Sequence, residues 1–317
     1  CRHAALLGSP RMSAQQPRNA AVSVKQRLFN LARQRSEDFN FLLTRYAVER
    51  LLYRLDQSAY KDRFVLKGAL LFHLKAGTLP YRPTRDVDFL GRGDPTPARL
   101  ENIFRELCAA PVVDDGLVFD KQSVRAERIL EEEEYEGVRV KLKARMGSAR
   151  LPVQVDVGFG DALTPPPRRE RLVTLLDFPA PCLLICPWET VIAEKFQTLV
   201  DRGMANSRMR DFFDLHYFAI TLSFEGTTFA SAIQATFTRR RTPVPVEIPV
   251  GLSPAFGEDS VKQTQWRAFM GRIRLDAGKR SFGEVLDGLR TFLMPPVEAL
   301  TQQQPFQRTW PPGGPWQ

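Results

Sequence analysis

Two short stretches of alternating apolar and polar residues constrain the fold of this chain more than any other feature. Residues Val138–Lys143 alternate apolar and basic side chains, and Val153–Gly158 alternate again after a turn at Met146–Arg150. A period of two is typical of a β-strand with one buried face, because successive side chains point to opposite sides of the sheet. The short connection favours an antiparallel pair. We therefore predict a half-buried β-hairpin in the middle of the chain.

The residues before this hairpin combine helical and strand patterns. Residues 22–60 have helical apolar spacing, and a short strand, Phe64–Leu66, leads into Lys67-Gly68 and a helix from about Ala69 to Gly77. A second strand is predicted over Asp86–Leu90, and a helix follows over residues 97–107. The first half is thus α/β or α+β with a small mixed sheet.

The second half is predicted to be mostly helical. A run of three prolines, residues 165–167, marks a change in composition, so we place a domain boundary between residues 164 and 165. The expected organisation is a flexible extension (1–19), a core (20–164), a helical domain (165–300) and a flexible tail (301–317). The predicted helices of the second domain are Pro187–Arg202, Arg208–Thr221, Val261–Ile273 and Phe282–Leu293.

Charge and cysteine content narrow the classes of partner and compartment. The 317 residues carry a formal charge of +9, with 45 basic and 36 acidic side chains, which favours a polyanionic partner such as nucleic acid. Four cysteines and three histidines lack finger-like spacing, so we expect no structural zinc, and we expect a reducing cytoplasm. No apolar run is long enough to span a bilayer. The chain starts at Cys1, and we interpret residues 1–11 as an extension before Met12.

Clustered acids on the predicted strands indicate a magnesium site. Asp86 and Asp88 lie two residues apart on one strand, so their carboxylates share a face. Mg²⁺ prefers oxygen ligands and often binds one or two carboxylates together with substrate phosphates. Asp156, on the later hairpin strand, is a third candidate for a two-metal site. An Asp-x-Asp pair by itself more often contacts solvent or turn amides.

Gly68, at a strand-to-helix junction, offers backbone N–H groups to a triphosphate. The alternative is that the turn itself requires glycine.

Two helices of the second half carry further candidates. Lys195 lies beside an apolar stripe and is either a phosphate clamp or a surface lysine whose stem covers apolar neighbours. Asp211 and Asp214 lie on one face of the next helix, where the alternative roles are dipole matching and an ion pair with Arg210. The aromatic residues over 212–218 are interpreted as core.

Several basic groups are candidates for contacts with phosphates. These are Lys141 and Lys143, Arg168 and Arg169, and the run Arg239–Arg241. Such runs are more often solvated faces, and the sequence does not indicate whether they converge.

In its motifs the chain resembles the AbiEii/AbiGii family of nucleotidyltransferase toxins. The resemblance covers roughly residues 25–296, and its motifs occur in a consistent order. The segments that carry it are Phe64–Gly68, Arg82–Asp88, Val153–Asp161, Glu189–Phe196, Arg208–Leu215 and Gln265–Phe269.

This resemblance implies an α+β fold, with a DNA-polymerase-β-like nucleotidyltransferase core and a helical C-terminal domain. It also implies Mg²⁺, an NTP substrate, type IV toxin–antitoxin biology and, in some members, tRNA 3′ ends as acceptors. By position, Asp86 and Asp88 would bind metal, Lys195 would neutralise phosphate, and Asp211 would complete the site as a base or metal ligand. Nucleotide contacts are implied for Lys67, Gly68, Thr84 and Arg85, and Asp156 resembles the third carboxylate of the wider fold.

We therefore predict a Mg²⁺-dependent enzyme that transfers NMP from an NTP to an RNA acceptor, with a cognate antitoxin as a further partner. A protein hydroxyl as acceptor and a silent nucleotide- or RNA-binding module are the alternatives.

Overall fold

The computed structural model describes residues 20–68, 70–71, 87–131, 135–273 and 281–317. The helices are α1 (Ala20–Arg35), α2 (Phe39–Asp56), α3 (Pro97–Ala109), α4 (Trp188–Arg202), α5 (Met209–Thr221), α6 (Gly226–Arg239), α7 (Pro254–Glu258), α8 (Ser260–Ile273) and α9 (Phe282–Thr301). The strands are β1 (Phe64–Lys67), β2 (Val87–Gly91), β3 (Val118–Glu131), β4 (Tyr135–Met146), β5 (Ala149–Phe159), β6 (Arg168–Arg171), β7 (Cys182–Ile185), β8 (Phe224–Glu225) and β9 (Thr309–Trp310).

A seven-stranded mixed sheet forms the centre of the fold, in the order β3-β4-β5-β2-β1-β7-β6. β2 runs parallel to β5 and β1 parallel to β7, whereas the other neighbouring pairs are antiparallel. The predicted hairpin is β4–β5 and is confirmed. The expected α+β class with a mixed sheet is also confirmed.

The sheet extends beyond the expected domain boundary. β6 and β7 follow residue 165, yet β7 pairs with β1, with Val65 opposite Leu184. The boundary placed between residues 164 and 165 therefore lies within the sheet, and the chain leaves the sheet only after Ile185. Neither short strand has an alternating pattern that would have identified it.

Helices cover the apolar face of the sheet. On β4 the buried residues Val138, Val140 and Leu142 alternate with polar ones, so one face of that strand is sealed from solvent. α2 packs on β5 and α3 packs on β3. Asp38 begins α2 as its N-cap, accepting a hydrogen bond from the backbone N–H of Phe41 at 2.7 Å.

The helical half contributes many buried aromatic residues to the hydrophobic core. Phe212 and Phe218 of α5 are fully buried, which confirms the assignment of that aromatic stretch to the core. α9 continues past the predicted end at Leu293 through Pro295 and Pro296. Prolines usually interrupt a helix, but here Pro296 and its neighbours are buried, so tertiary packing outweighs propensity.

The C-terminal segment is not the flexible tail that its composition predicts. β9 pairs with β8, and the indole of Trp310 donates to the carbonyl oxygen of Ala219 at 2.7 Å. The indole of Trp316 donates to the carbonyl oxygen of Phe292 at 2.8 Å. Both rings are buried. Burial of two large aromatic surfaces with satisfied N–H groups outweighs the effect of the surrounding Gln, Pro and Gly residues.

Some predictions concern parts of the chain outside the described residues. These are the N-terminal extension over 1–19 and most of the helix expected over 69–77, of which Leu70 and Leu71 are described and are helical. None of the described helices is long and apolar enough to cross a membrane. Cys108, Cys182 and Cys186 are free thiols.

Candidate active site

A row of charged residues crosses the polar face of the sheet at its centre. Lys67 of β1 is opposite Asp88 of β2, Asp88 is opposite Asp156 of β5, and Asp156 is opposite Arg139 of β4. Directly opposed residues of neighbouring strands project to the same side. Three residues predicted separately from the sequence thus share one face, and Arg139 joins them.

Gly68 and Asp88 are in close contact at the end of β1. Gly68 has a φ of +78°, a conformation that side-chain-bearing residues rarely adopt. A Cβ on Gly68 would lie 1.9 Å from Oδ2 of Asp88, well inside any permitted contact. The positive φ and the lack of space for a Cβ each require glycine at this position. The backbone of Gly68 is therefore in direct contact with the Asp88 carboxylate.

Asp156 is held by a two-point ion pair. Nε and Nη2 of Arg139 donate to its two carboxylate oxygens, each at 2.8 Å. Such a fork-to-fork arrangement fixes the orientation of both groups. To bind a metal ion, Asp156 would have to release at least one of these bonds.

Lys67 lies in a buried cluster of opposite charges. Its ammonium is 2.8 Å from Oδ2 of Asp161 and 3.3 Å from Oε2 of Glu194, on α4. Burial alone would lower the pKa of Lys67, but Glu194 and Asp161 outweigh it and raise that pKa above its ordinary value. The Lys67 ammonium is therefore a charged tie between the sheet and α4.

The two acids of this cluster shift in opposite directions. Burial raises the pKa of Glu194 despite the nearby lysine. For Asp161 burial also acts upward, but Lys67 outweighs it and lowers the pKa. Arg240, 3.7 Å from Asp161, adds positive charge to the cluster. The cluster joins β1 to α4 and to the end of α6.

Lys195, the next residue along α4, forms a second cluster with α5. Its ammonium is 2.5 Å from Oδ1 of Asp211 and 2.9 Å from Oδ2 of Asp214. Nε of Arg208 donates to the other oxygen of Asp211 at 2.6 Å. Lys195 is thus not a solvated surface lysine, and Asp214 pairs with it.

Asp211 is almost completely buried between two cations. Burial by itself raises the pKa of a carboxyl, but Lys195 and Arg208 outweigh it and hold the pKa of Asp211 well below its usual range. Asp211 is consequently ionised at neutral pH and is a weak base.

A buried lysine supports the loop that carries Arg208. The ammonium of Lys262, on α8, donates to the backbone carbonyl oxygen of Asn206 at 3.0 Å. The side-chain oxygen of Asn206 then accepts from the backbone N–H of Arg208 at 2.9 Å. Arg208 is thereby oriented toward Asp211 from outside α5.

The structure brings the predicted site residues together in two neighbouring groups. The first group lies on the sheet and contains Lys67, Gly68, Asp88 and Asp156. In the second group, Lys195 of α4 contacts Asp211 of α5. Thr84, Arg85 and Asp86 lie outside the described residues.

The sequence interpretation did not assign the observed contacts to several supporting residues. Arg139 and Lys262 were not singled out, and they are recognised only from the register of β4 and β5 and from the packing of α8. Asp161, Glu194 and Arg208 lie within the family motifs and Arg240 lies in the basic run 239–241, but their ion pairs depend on the tertiary fold.

The side chains that could coordinate a metal ion decide whether the site fits Mg²⁺. Across the described ranges, no group of three or more His, Cys, Asp or Glu side chains is arranged to hold a metal ion. Asp88 has the carboxylate chemistry that Mg²⁺ prefers and lies at the turn of Gly68. Its sequence partner, Asp86, is beyond those ranges.

A sequence model of a known family matches residues 50–288, well over half of the 317 residues. That family is the nucleotidyl transferase AbiEii toxins of type IV toxin–antitoxin systems. The chain belongs to this family. The matched range contains both clusters and the row across the sheet. Membership supports nucleotidyl transfer as the activity of the chain, and the expected family is confirmed.

Solved structures give distant matches. MenT4, a nucleotidyltransferase toxin from Mycobacterium tuberculosis H37Rv, is 17% identical, with 88% of this chain and 98% of that chain covered and a TM-score of 0.47. A Helicobacter pylori protein described as a nucleotidyltransferase is 14% identical, covering 83% and 97%, with a TM-score of 0.46. JHP933 from Helicobacter pylori is 14% identical over the same shares, with a TM-score of 0.43. No curated protein matches the chain.

Proposed function

We propose that this AbiEii-family chain transfers NMP from an NTP to the 3′ hydroxyl of an RNA, with tRNA as the first acceptor to test, in a Mg²⁺-dependent reaction. The observation that carries the proposal is the contact between the Asp88 carboxylate and the turn at Gly68. Lys67, which precedes that glycine, pairs with Glu194, the residue before Lys195 of the Lys195–Asp211 pair. The net charge of +9 favours a polyanionic acceptor.

The reaction is an in-line displacement at phosphorus. The acceptor hydroxyl forms a new O–P bond to the α-phosphorus and loses its proton, and the bond from the α-phosphorus to the bridging oxygen of the β-phosphate breaks. Pyrophosphate leaves with that electron pair. Mg²⁺, when bound, would supply charge neutralisation to the phosphoryl oxygens. Protein groups then contribute orientation and fixed charge.

Asp88 and Asp86 would hold the metal. Asp88 is assigned from its position over Gly68, and Asp86 from its spacing two residues earlier. The turn at Gly68 would present backbone N–H groups to the triphosphate. Thr84 and Arg85 are assigned to nucleotide contacts from the family motif alone. Asp156 would serve through Arg139, whose guanidinium it orients.

Lys195 would neutralise phosphate charge. Asp211 and Asp214 hold its ammonium in place, and a pKa well below the usual range makes Asp211 a poor proton acceptor. We therefore assign Asp211 to positioning Lys195 and not to removing the hydroxyl proton. Lys67 would also neutralise phosphate charge. Its ammonium is held by Asp161 and Glu194, and its backbone leads into the Gly68 turn.

The test is a transfer assay on purified protein. Wild type, Asp86→Ala, Asp88→Asn and the control Asp201→Asn are each incubated with total tRNA, Mg²⁺ and one α-labelled NTP at a time. Asp201 is an exposed residue at the end of α4, so its variant removes one carboxylate at a distance from the proposed metal site. We expect label on RNA with wild type and Asp201→Asn, and a loss of at least about 1,000-fold with the two site variants.

Other outcomes would contradict the proposal in distinct ways. Label found on protein and never on RNA would replace the acceptor with a protein hydroxyl. Nucleotide binding without turnover by folded wild type would indicate a silent binding module. Undiminished transfer by Asp88→Asn with unchanged thermal unfolding would overturn the site assignment.

Membership in a type IV toxin–antitoxin family also suggests a cognate antitoxin. We propose that expression of the wild-type chain arrests growth and that co-expression of the antitoxin relieves it. Growth arrest that persists in the Asp88→Asn strain would separate toxicity from nucleotidyl transfer.

A further inference from the structure

β4 carries a line of cations away from the candidate site. Arg139, Lys141, Lys143 and Arg145 alternate with buried residues, so all four project from the same face of the sheet as Asp156. At about 3.3 Å per residue, Lys143 lies about 13 Å and Arg145 about 20 Å along the strand from the register position of Asp156. The line therefore begins at the candidate site and ends at the hairpin turn.

Among the described residues, the outer half of this line has one acid opposite it and no ion pair: Asp120 of β3 is opposite Lys143, and its carboxylate accepts a hydrogen bond from the backbone N–H of Gln122. Arg139 pairs with Asp156, and Lys141 pairs with Glu127 at 2.6 Å. In the part of the chain that the structure describes, no carboxylate lies within ion-pair distance of Lys143 or Arg145.

Like charges also face each other across the hairpin. Arg145 of β4 is directly opposite Arg150 of β5, and Lys141 is directly opposite Arg125 of β3. Directly opposed like charges destabilise a sheet. All four side chains are exposed, so an anion could approach both pairs. Glu127 offsets part of the repulsion at Lys141, so Arg145 and Arg150 form the pair that a bound polyanion would relieve most.

Three of the other arginines predicted to contact phosphates have internal partners. Arg169 contacts Asp62 and the carbonyl oxygen of Cys182, Arg240 contacts Gln197, and Arg239 donates to the carbonyl oxygen of Gly160. These guanidinium groups are held by protein acceptors, whereas Lys143 and Arg145 are exposed on the hairpin.

We propose that the hairpin face formed by Arg125, Lys141, Lys143, Arg145 and Arg150 binds the phosphate backbone of the RNA acceptor strand. This inference rests on the proposed function and specifies the surface that holds its acceptor. Alternate side chains on a strand give a regular linear spacing of cations, which suits the repeated phosphates of an extended nucleic-acid strand. An acidic protein would not require a line of cations that begins at the transfer site.

The direct test is RNA binding by a protein that cannot turn over. In an Asp88→Asn background, Lys143→Gln/Arg145→Gln is compared with the control Arg168→Gln/Arg171→Gln, and affinity for 3′-labelled tRNA is measured at several salt concentrations. The control removes the same charge from exposed positions of β6, at the opposite edge of the sheet.

We expect the hairpin variant to bind about tenfold more weakly, and its slope of log K against log salt to become shallower by about 1.4. The control should bind within about twofold of the background protein. Equal weakening of both variants, or no weakening of the hairpin variant, would overturn the inference.

Steady-state transfer separates this inference from the proposed function. With Asp88 restored, the hairpin variant should raise the KM for tRNA and leave kcat at saturating tRNA unchanged. If the hairpin variant transfers NMP to tRNA with the same KM and kcat as wild type, the proposed binding surface is wrong and the proposed function stands. Absence of RNA binding by wild type, with binding of an acidic protein in its place, would overturn both.

Discussion

The Cβ that Gly68 lacks would lie 1.9 Å from Oδ2 of Asp88. Gly68→Ala must therefore displace the Asp88 carboxylate or move the turn at φ +78°. We predict a loss of transfer of about 100-fold or more, since misplacement by about 1 Å is sufficient for that effect. Transfer is measured at saturating NTP, and thermal unfolding is measured on the same protein.

Gly313→Ala is the matched control for Gly68→Ala. Gly313 also has a positive φ, +88°, but a Cβ there meets no atom within 4 Å. It therefore reports the backbone strain of a left-handed alanine, about 1–3 kcal/mol, without a steric clash. If both variants lost transfer equally, backbone strain and not the contact with Asp88 would be the cause.

The Lys195–Asp211 pair allows charge and stability to be separated. Lys195→Met should abolish transfer and lower the free energy of unfolding by about 3–5 kcal/mol, because it leaves buried carboxylates without their partner. Adding Asp211→Asn removes one of those carboxylates. The double variant should therefore recover part of the stability and none of the transfer. Recovery of transfer would show that the lysine charge is dispensable.

Asp211 also predicts a pH dependence of stability. Its folded pKa lies below the ordinary value, so its contribution is present above about pH 4 and is lost as pH falls toward the folded pKa. Urea unfolding between pH 3 and 7 should show a steeper acid decline in wild type than in Asp211→Asn. Parallel curves would contradict the assigned ion pairs.

For Glu49 we predict that the free energy of unfolding changes with pH in the opposite direction. Burial raises its pKa to about 7, although its carboxylate accepts a hydrogen bond from the backbone N–H of Leu175 and lies near Arg50. The folded state then binds more protons than the unfolded state between about pH 4.5 and 7, so the free energy of unfolding falls as pH rises through that window. Glu49→Gln should remove this slope and be the more stable protein above pH 7. A slope that persists in the variant would assign it to other groups.

The sequence was sufficient for the parts of the fold that depend on local patterns. Alternation identified β4 and β5, and the spacing of Asp88 and the later motifs identified the site strand and α4. What it missed depends on contacts between distant residues. Arg139 is recognisable as a partner of Asp156 only once the register of β4 and β5 is known. Trp316 is buried against Phe292 of α9, and the amino-acid composition of the C-terminal segment does not predict this contact.

Asp156 provides the last test, because its two assigned roles predict different results. If it acts through Arg139, Asp156→Asn and Arg139→Gln should each reduce transfer, and the double variant should be no worse than the more damaging single one, since each change breaks the same pair. The Mg²⁺ concentration for half-maximal transfer should then be unchanged in Asp156→Asn. A metal ligand predicts a large rise in that concentration in Asp156→Asn alone. Titration of Mg²⁺ against the four proteins of this cycle distinguishes the two, and such a rise would restore Asp156 to the metal site.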